Sequence, residues 1–224
     1  FPNPPDLLEV LTTPSMPRKQ PFDAESHRPS RRRVGRLAGV RIIAGEFRGR
    51  RLRYSGQLQT RPMKDRVREA LFSILGQRVE GKFVLDLFAG TGALGLEAIS
   101  RGAASALFLE YHRPTAALLR ENIAMLGVQG RCQVLPVDSF VWFRRGPELP
   151  KTPWVVFCSP PYAFYQTRQK DMLLLIGGLI DQASTESLFV VEADSRFDVS
   201  LLPESAQWDI RHYRPAVVGI FQKR

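Results

Sequence analysis

Cysteine is scarce in this chain. Its 224 residues hold two, Cys132 and Cys158, too far apart for a CxxC pair and too few for a disulfide framework. Histidine is nearly as rare. His27, His112 and His212 are scattered, so no ligand spacing for zinc exists and no metal is expected. No uncharged apolar run approaches about 18 residues, so no segment is expected to span a membrane. No charged-then-apolar leader opens the chain, and there are no internal repeats. These absences point to a reducing, cytoplasmic setting.

Acidic residues are missing from one region above all. Residues 1–70 hold 16 Lys and Arg against 7 Asp and Glu, whereas residues 71–224 hold 16 against 15. Nearly all of the net charge of +10 is therefore N-terminal. Between Arg28 and Arg68 there are 14 basic residues and 2 acidic ones, a density that repels itself unless a polyanion neutralises it. Residues 1–39 read as a disordered, basic, Pro-rich tail. The segment RIIAGEFRGRRLRY differs, because Ile42, Ile43, Phe47, Leu52 and Tyr54 interleave with arginines. With Gly45 and Gly49 as turn residues, residues 40–59 read as a basic β-hairpin whose cationic face is Arg41, Arg48, Arg50, Arg51 and Arg53. Arginine matches phosphate and stacks on bases, so nucleic acid is the expected partner.

From residue 60 to 224 the pattern is regular and reads as one domain. TRPMKDRVREALFSILG predicts a helix with Pro62 in its first turn and a stripe at Val67, Ala70, Leu71, Ile74 and Leu75. KFVLDLF, ASALFLE, RCQVLPV, WVVFC and SLFVVEA predict five strands. Helices over GALGLEAISRG, RPTAALLRENIAMLG, about 139–145 and about 168–181 separate them. WDIRHY and AVVGIFQ, split by Arg214-Pro215, predict a closing antiparallel pair. The fold class is α/β: a mostly parallel, doubly wound, Rossmann-like sheet of seven strands, with ligand over the carboxyl ends of its strands.

Gly90-Thr91-Gly92-Ala93-Leu94-Gly95 is a GxGxxG turn that follows a strand and opens a helix. Its glycines permit a tight turn and close ligand approach. Glu110 ends the next strand 20 residues after Gly90 and can take both hydroxyls of a ribose. A dinucleotide would bring phosphates, which favour a helix N-terminus free of carboxylates. Asp86 stands beside the loop, together with Phe88 and Ala89, and suits a cation instead. S-adenosylmethionine (SAM), with ammonium and sulfonium groups, is therefore favoured over a nicotinamide dinucleotide. Asp138, with Ser139 beside it, is either an acceptor for an adenine amino group or a helix N-cap.

The stretch VVFCSPPYAFY runs a buried strand into two prolines and an aromatic cluster. Successive prolines fix φ, which aims the Pro160 carbonyl in one direction. That carbonyl can hold an exocyclic base amine, a poor nucleophile whose lone pair is delocalised into the ring. Tyr162 can stack on the extruded base. Ser159, Pro160, Pro161 and Tyr162 are the candidate catalytic residues.

RIIAGEFRGRRL, TRPMKDRVREALFSIL, VLDLFAGTGALGLEAISRGA, FLE and the PPY turn occur in this order in bacterial 16S ribosomal RNA (guanine-N2)-methyltransferases. From about Val40 to the C-terminus the chain resembles that family. The resemblance implies a SAM-dependent enzyme that methylates one guanine of the small ribosomal subunit; a monomer is expected. It implies a SAM pocket lined by Asp86, Gly90, Gly92 and Glu110, with Asp138 at the adenine and Thr60, Arg61 and Asp65 closing the methionine end. The family carries Asp where this chain has Ser159, and Thr where it has Met63. A hydroxyl is a weaker acceptor than a carboxylate and no base at neutral pH. Ser-Pro-Pro-Tyr also occurs in enzymes that methylate the N4 amine of cytosine in DNA. Two alternatives thus stand beside guanine-N2 transfer: an N4-cytosine or N6-adenine methyltransferase, and an RNA-binding homologue with impaired catalysis.

Overall fold

Residues 40–54 and 63–224 are described by a computed structural model. Strand β1, Phe83–Asp86, is buried from Val84 onward, which is why its sequence runs apolar without alternation. Strands β2 (Ser105–Leu109) and β4 (Trp154–Cys158) flank it in parallel. Strand β3 (Cys132–Leu135) pairs parallel outside β2, and β5 (Leu188–Asp194) parallel outside β4. β7 (Ala216–Gln222) pairs antiparallel with β5, and β6 (Asp209–Tyr213) antiparallel with β7 at the edge. The order is β3-β2-β1-β4-β5-β7-β6. The chain winds outward in one direction from β1 and in the other from β4, so the crevice between those strands is the switch point.

Helices cover both faces. On one, α1 (Asp65–Leu75), α2 (Ala93–Ser100) and α3 (Arg113–Leu126) bury Leu71, Leu96 and Leu119 with Val84, Phe108 and Val155. On the other, α4 (Ser139–Arg144) and α6 (Gln169–Gln182) bury Phe140, Leu175 and Leu179 with Leu85, Leu107 and Val156. A single turn, α5 (Phe164–Thr167), precedes α6. Each such side chain contributes about 1.5–3 kcal/mol on burial, so the two apolar faces hold the sheet in place.

Local punctuation sets most of the boundaries. α3 has Pro114 in its first turn and stops at Gly127, whose φ of 72° is left-handed. α1 stops at Gly76 but starts at Asp65, behind an extended Lys64. This corrects the helix expected from residue 60: Met63 and Lys64 are not helical, and the extended Lys64 stands as the cap; residues 60–62 lie outside the described residues. The helix expected over about 168–181 forms as α6, with the separate turn α5 before it.

The expected hairpin has one antiparallel bridge, Arg41 with Arg51. Its apolar residues are not a separate core: Val40, Ile42 and Leu52 join the cluster on the α1–α3 face. The turn is tied to α2. Glu97, fully buried, accepts from the N–H groups of Ile43 (2.7 Å) and Ala44 (3.0 Å), and from Arg101. The Ser100 carbonyl accepts from Glu46 N–H at 2.8 Å, and the Ser100 hydroxyl donates to the Ala44 carbonyl. Gly45 makes this approach possible. Its φ is +83°, and a Cβ there would lie 1.8 Å from the Ser100 oxygen. Gly45→Ala is expected to cost about 2 kcal/mol or more, read as a lower urea midpoint; an unchanged midpoint would contradict the docking.

Candidate functional site

A cavity of about 870 Å³ opens at the carboxyl ends of β1, β2, β4 and β5, within the range of small-ligand sites. Asp86 ends β1 in its wall and is buried. One carboxylate oxygen accepts from the Gly95 N–H at 3.1 Å, while the other, Oδ1, has no hydrogen-bond partner. Burial pushes its pKa up to about 7; the N–H of Gly95 draws it partly back, nearby Glu110 raises it further, and the N–H of Phe88, outside hydrogen-bond geometry, lowers it a little. A buried, unpaired carboxylate oxygen is unfavourable by itself. Asp86 nonetheless belongs to the cavity wall, and a strongly perturbed carboxyl in a cleft marks a candidate functional site. Thr91 Oγ1, in the same wall, is also unpartnered.

The glycine turn follows β1. Gly90 has φ +53° and nothing within 4 Å of where a Cβ would stand, so it faces open space. Gly92, expected in the pocket wall, is not among the residues lining the cavity, and it is needed bare for a different reason. A Cβ there would come within 2.4 Å of Leu119 and 3.0 Å of Leu96, so packing between α2 and α3 requires that glycine. Gly95 meets the ring of Phe108 in the same way, at 2.3 Å, which lets α2 lie close to the sheet. Glu110 locks the turn to the end of β2. Its carboxylate accepts from the Gly90 N–H and the His112 N–H, each at 2.8 Å, leaving lone pairs for a ligand.

Asp138 caps α4 by accepting from the N–H groups of Phe140 (2.9 Å) and Val141 (3.0 Å). Its other oxygen accepts from Arg168 at 3.1 Å. The N-cap expectation is therefore realised in a residue that also lines the cavity. The Ser139 hydroxyl donates to the Leu87 carbonyl, so its place is structural. Phe88, Phe140 and Phe164 form a triangle with centroids 5.8 to 6.1 Å apart. The Arg168 guanidinium lies 3.8 Å above Phe140 and also pairs with Asp171.

The turn after β4 forms the remaining wall. Ser159, Pro160, Pro161 and Tyr162 all line the cavity. The Ser159 hydroxyl and the Tyr162 hydroxyl (2.8 Å) both donate to Glu192 of β5, which is 5% exposed. The Pro161 carbonyl accepts from the Phe164 N–H at 2.9 Å, starting α5.

Asp86, Phe88, Ala89, Gly90, Glu110, Asp138, Ser139 and the Ser-Pro-Pro-Tyr turn thus share one cavity. Thr60 and Arg61 lie outside the described residues. Asp65 pairs with Arg41 and Arg68 rather than entering the cavity wall. Of the arginines, Arg41 pairs with Asp65 at 3.4 Å and Arg53 with Glu121, while Arg48, Arg50 and Arg51 are exposed. Sequence reasoning missed Glu192 and Arg168. A carboxylate interrupting the apolar run of β5 at its carboxyl end was the available signal for Glu192. Among the described residues no cluster of three or more His, Cys, Asp or Glu could hold a metal, and no helix is long and apolar enough to cross a membrane.

With its parallel-then-antiparallel sheet and glycine turn, the fold is that of the SAM-dependent methyltransferases. The Escherichia coli protein yhhF, a solved structure, superposes with a TM-score of 0.69 at 30% identity, covering 83% of this chain and 98% of that one. The family model described as conserved hypothetical protein 95 matches residues 40–216. Ribosomal RNA small subunit methyltransferase D of Escherichia coli K12 is 35% identical over 80% of this chain and 85% of its own. Its Haemophilus influenzae namesake is 38% identical over 60% and 70%. This chain belongs to the family of the ribosomal RNA small subunit methyltransferases D.

Asp86 makes stability depend on pH. Folded, its carboxyl ionises near 7 instead of 3.8, so the folded chain binds more protons between those values. Stability from this group is then lost as pH rises through the window and is level above it, by up to roughly 4 kcal/mol. Relative to wild type, Asp86→Asn should gain unfolding free energy from pH 4 to 7 in urea titrations and no more beyond. A difference independent of pH would contradict the assignment.

Proposed function

We propose that this chain transfers a methyl group from SAM to the N2 amine of a guanine in 16S ribosomal RNA of the small subunit. One observation carries the reading: a single cavity is lined both by Asp86, a buried carboxylate with an unpartnered oxygen, and by the proline-stiffened turn of Ser159–Tyr162. The residues fit the donor. Asp86 would take its ammonium group, Glu110 its ribose hydroxyls, and Phe88 and Phe164 with Asp138 its adenine. Thr60 and Arg61 are assigned to closing the methionine end. When bound, SAM supplies an electrophilic methyl group on a sulfonium cation.

The chain's own work is positioning. The Pro160 carbonyl accepts an N–H of the target amine and orients its nitrogen. Tyr162, its hydroxyl anchored on Glu192, offers a fixed ring for the flipped base. Such alignment can supply a large part of a bimolecular rate. The exposed Arg48, Arg50 and Arg51 are assigned to phosphates of folded RNA, which is recognised by shape and backbone rather than groove sequence.

The direct test is mass spectrometry of nucleosides from unmodified small subunits incubated with the protein and SAM. N2-methylguanosine is the expected product; only N4-methylcytidine or N6-methyladenosine, or no methylation, would refute the reading. Tyr162→Ala should lower turnover about 100-fold or more, in line with lost base stacking of roughly 1–3 kcal/mol plus lost alignment. Replacing Arg48, Arg50 and Arg51 with Ala should flatten the slope of log affinity for small-subunit RNA against log salt by about 1 per lost phosphate contact. An unchanged slope would place the RNA grip elsewhere.

A further inference from the structure

Ser159 has no basic side chain of its own, yet the reaction must shed a proton. The cavity answers this with a carboxylate from another strand. Glu192 is 5% exposed, and its two oxygens each receive a hydroxyl: Ser159 on Oε2 and Tyr162 on Oε1. A Ser159 hydroxyl that donates to Glu192 turns its lone pairs toward other donors. We infer that Ser159 and Glu192 together form a proton relay, in which Ser159 contacts the target amine and Glu192, acting through it, is the terminal acceptor. The inference rests on the methyl-transfer reading above and names the proton's destination.

The step balances. As the amine nitrogen bonds to the methyl carbon, the carbon–sulfur bond breaks and its electron pair stays on sulfur. The nitrogen's proton passes to Ser159 Oγ, and the Ser159 proton passes to Glu192 Oε2. Glu192 ends neutral, the sulfonium charge is gone, and solvent later takes the proton.

The surroundings suit a carboxylate that cycles between charged and neutral. Tyr162 and Tyr165 face it from the segment after β4, Tyr213 lies in the same cavity at the end of β6, and Asp86 lies across the cavity wall at the end of β1. Its register partner on β7 is the apolar Val218. Two residues along β5, Asp194 is occupied by Arg196, and the cavity's Arg168 is held by Asp138 and Asp171. Among the described residues no salt bridge ties Glu192 to a cation; its partners are the two hydroxyls.

The test compares wild type, Glu192→Gln, Ser159→Ala, the double variant and Ser159→Asp/Glu192→Gln on small subunits. SAM is kept saturating, so that Asp86 stays ionised against the bound cation. Glu192→Gln should lower kcat about 100-fold or more, the scale of general-base catalysis, and abolish the acid limb of the kcat–pH profile. The SAM dissociation constant by equilibrium dialysis should stay within about threefold of wild type, which separates a lost relay from a damaged pocket. Ser159→Ala should match Glu192→Gln, and the double variant should be no worse, because one relay is broken only once. A carboxylate at position 159 should restore kcat in the Glu192→Gln background. Wild-type kcat in Glu192→Gln, multiplying defects in the double variant, or an acid limb that survives would each overturn the relay. Should Glu192→Gln lose SAM binding, Ser159→Ala decides: wild-type kcat there overturns the relay, and loss of kcat with its acid limb upholds it. A wild-type protein that methylates no nucleoside is a separate result, which removes the methyl-transfer reading before any variant is compared.

Discussion

A carboxylate buried with one oxygen unpaired is costly, and Asp86 is such a group. The fold keeps it there. β1 is flanked by parallel neighbours on both sides, so its last residue cannot move toward solvent, and the Gly95 N–H of α2 holds only Oδ2. The strand end, the glycine turn and the first turn of α2 are arranged around this one carboxylate. Burial leaves it near neutrality without a ligand, and a cation in the cavity would return it to its charged form.

The rest of the site is a set of braces that keep the walls of the cavity apart. Glu110 ties the glycine turn to the end of β2, Asp138 caps α4 and holds Arg168, and Glu192 gathers Ser159 and Tyr162. Each is a carboxylate at the carboxyl end of a parallel strand or just after it, where such sheets bind ligands. Charge therefore shapes the cavity as well as filling it. Glu97 extends the same device outward: its buried carboxylate holds the basic N-terminal turn on α2. The arginine-bearing loop is thereby fixed relative to the sheet that carries the site.

Much of this was legible in the sequence because the cues are local. FVLDLFAGTG announces a strand, a turn and a helix through its apolar run and glycines, and Pro114 and Gly127 bracket α3 as capping chemistry requires. Other features depended on contacts between distant residues. Gly92 belongs to the same motif as Gly90, yet it is Leu119 of α3, distant in sequence, that leaves no room for a side chain there. Glu192 reads as an ordinary strand end until β5 lies beside β4 and brings it to Ser159, 33 residues earlier. Asp138 left two readings open from sequence, and the structure shows why: one carboxylate caps α4 and lines the cavity together. Pro62 misplaced the start of α1 because a proline cue cannot distinguish a helix's first turn from the approach to it.

The central claim is that Asp86 receives the cationic donor, and equilibrium dialysis of SAM against the wild-type protein across pH tests it most directly. Affinity should rise about tenfold per pH unit up to near 7 and level off above it, since binding must displace the proton that burial retains. The Asp86→Asn protein should bind weakly and show no such dependence. An affinity flat from pH 5 to 8 in the wild type, or strong binding by Asp86→Asn, would contradict the account.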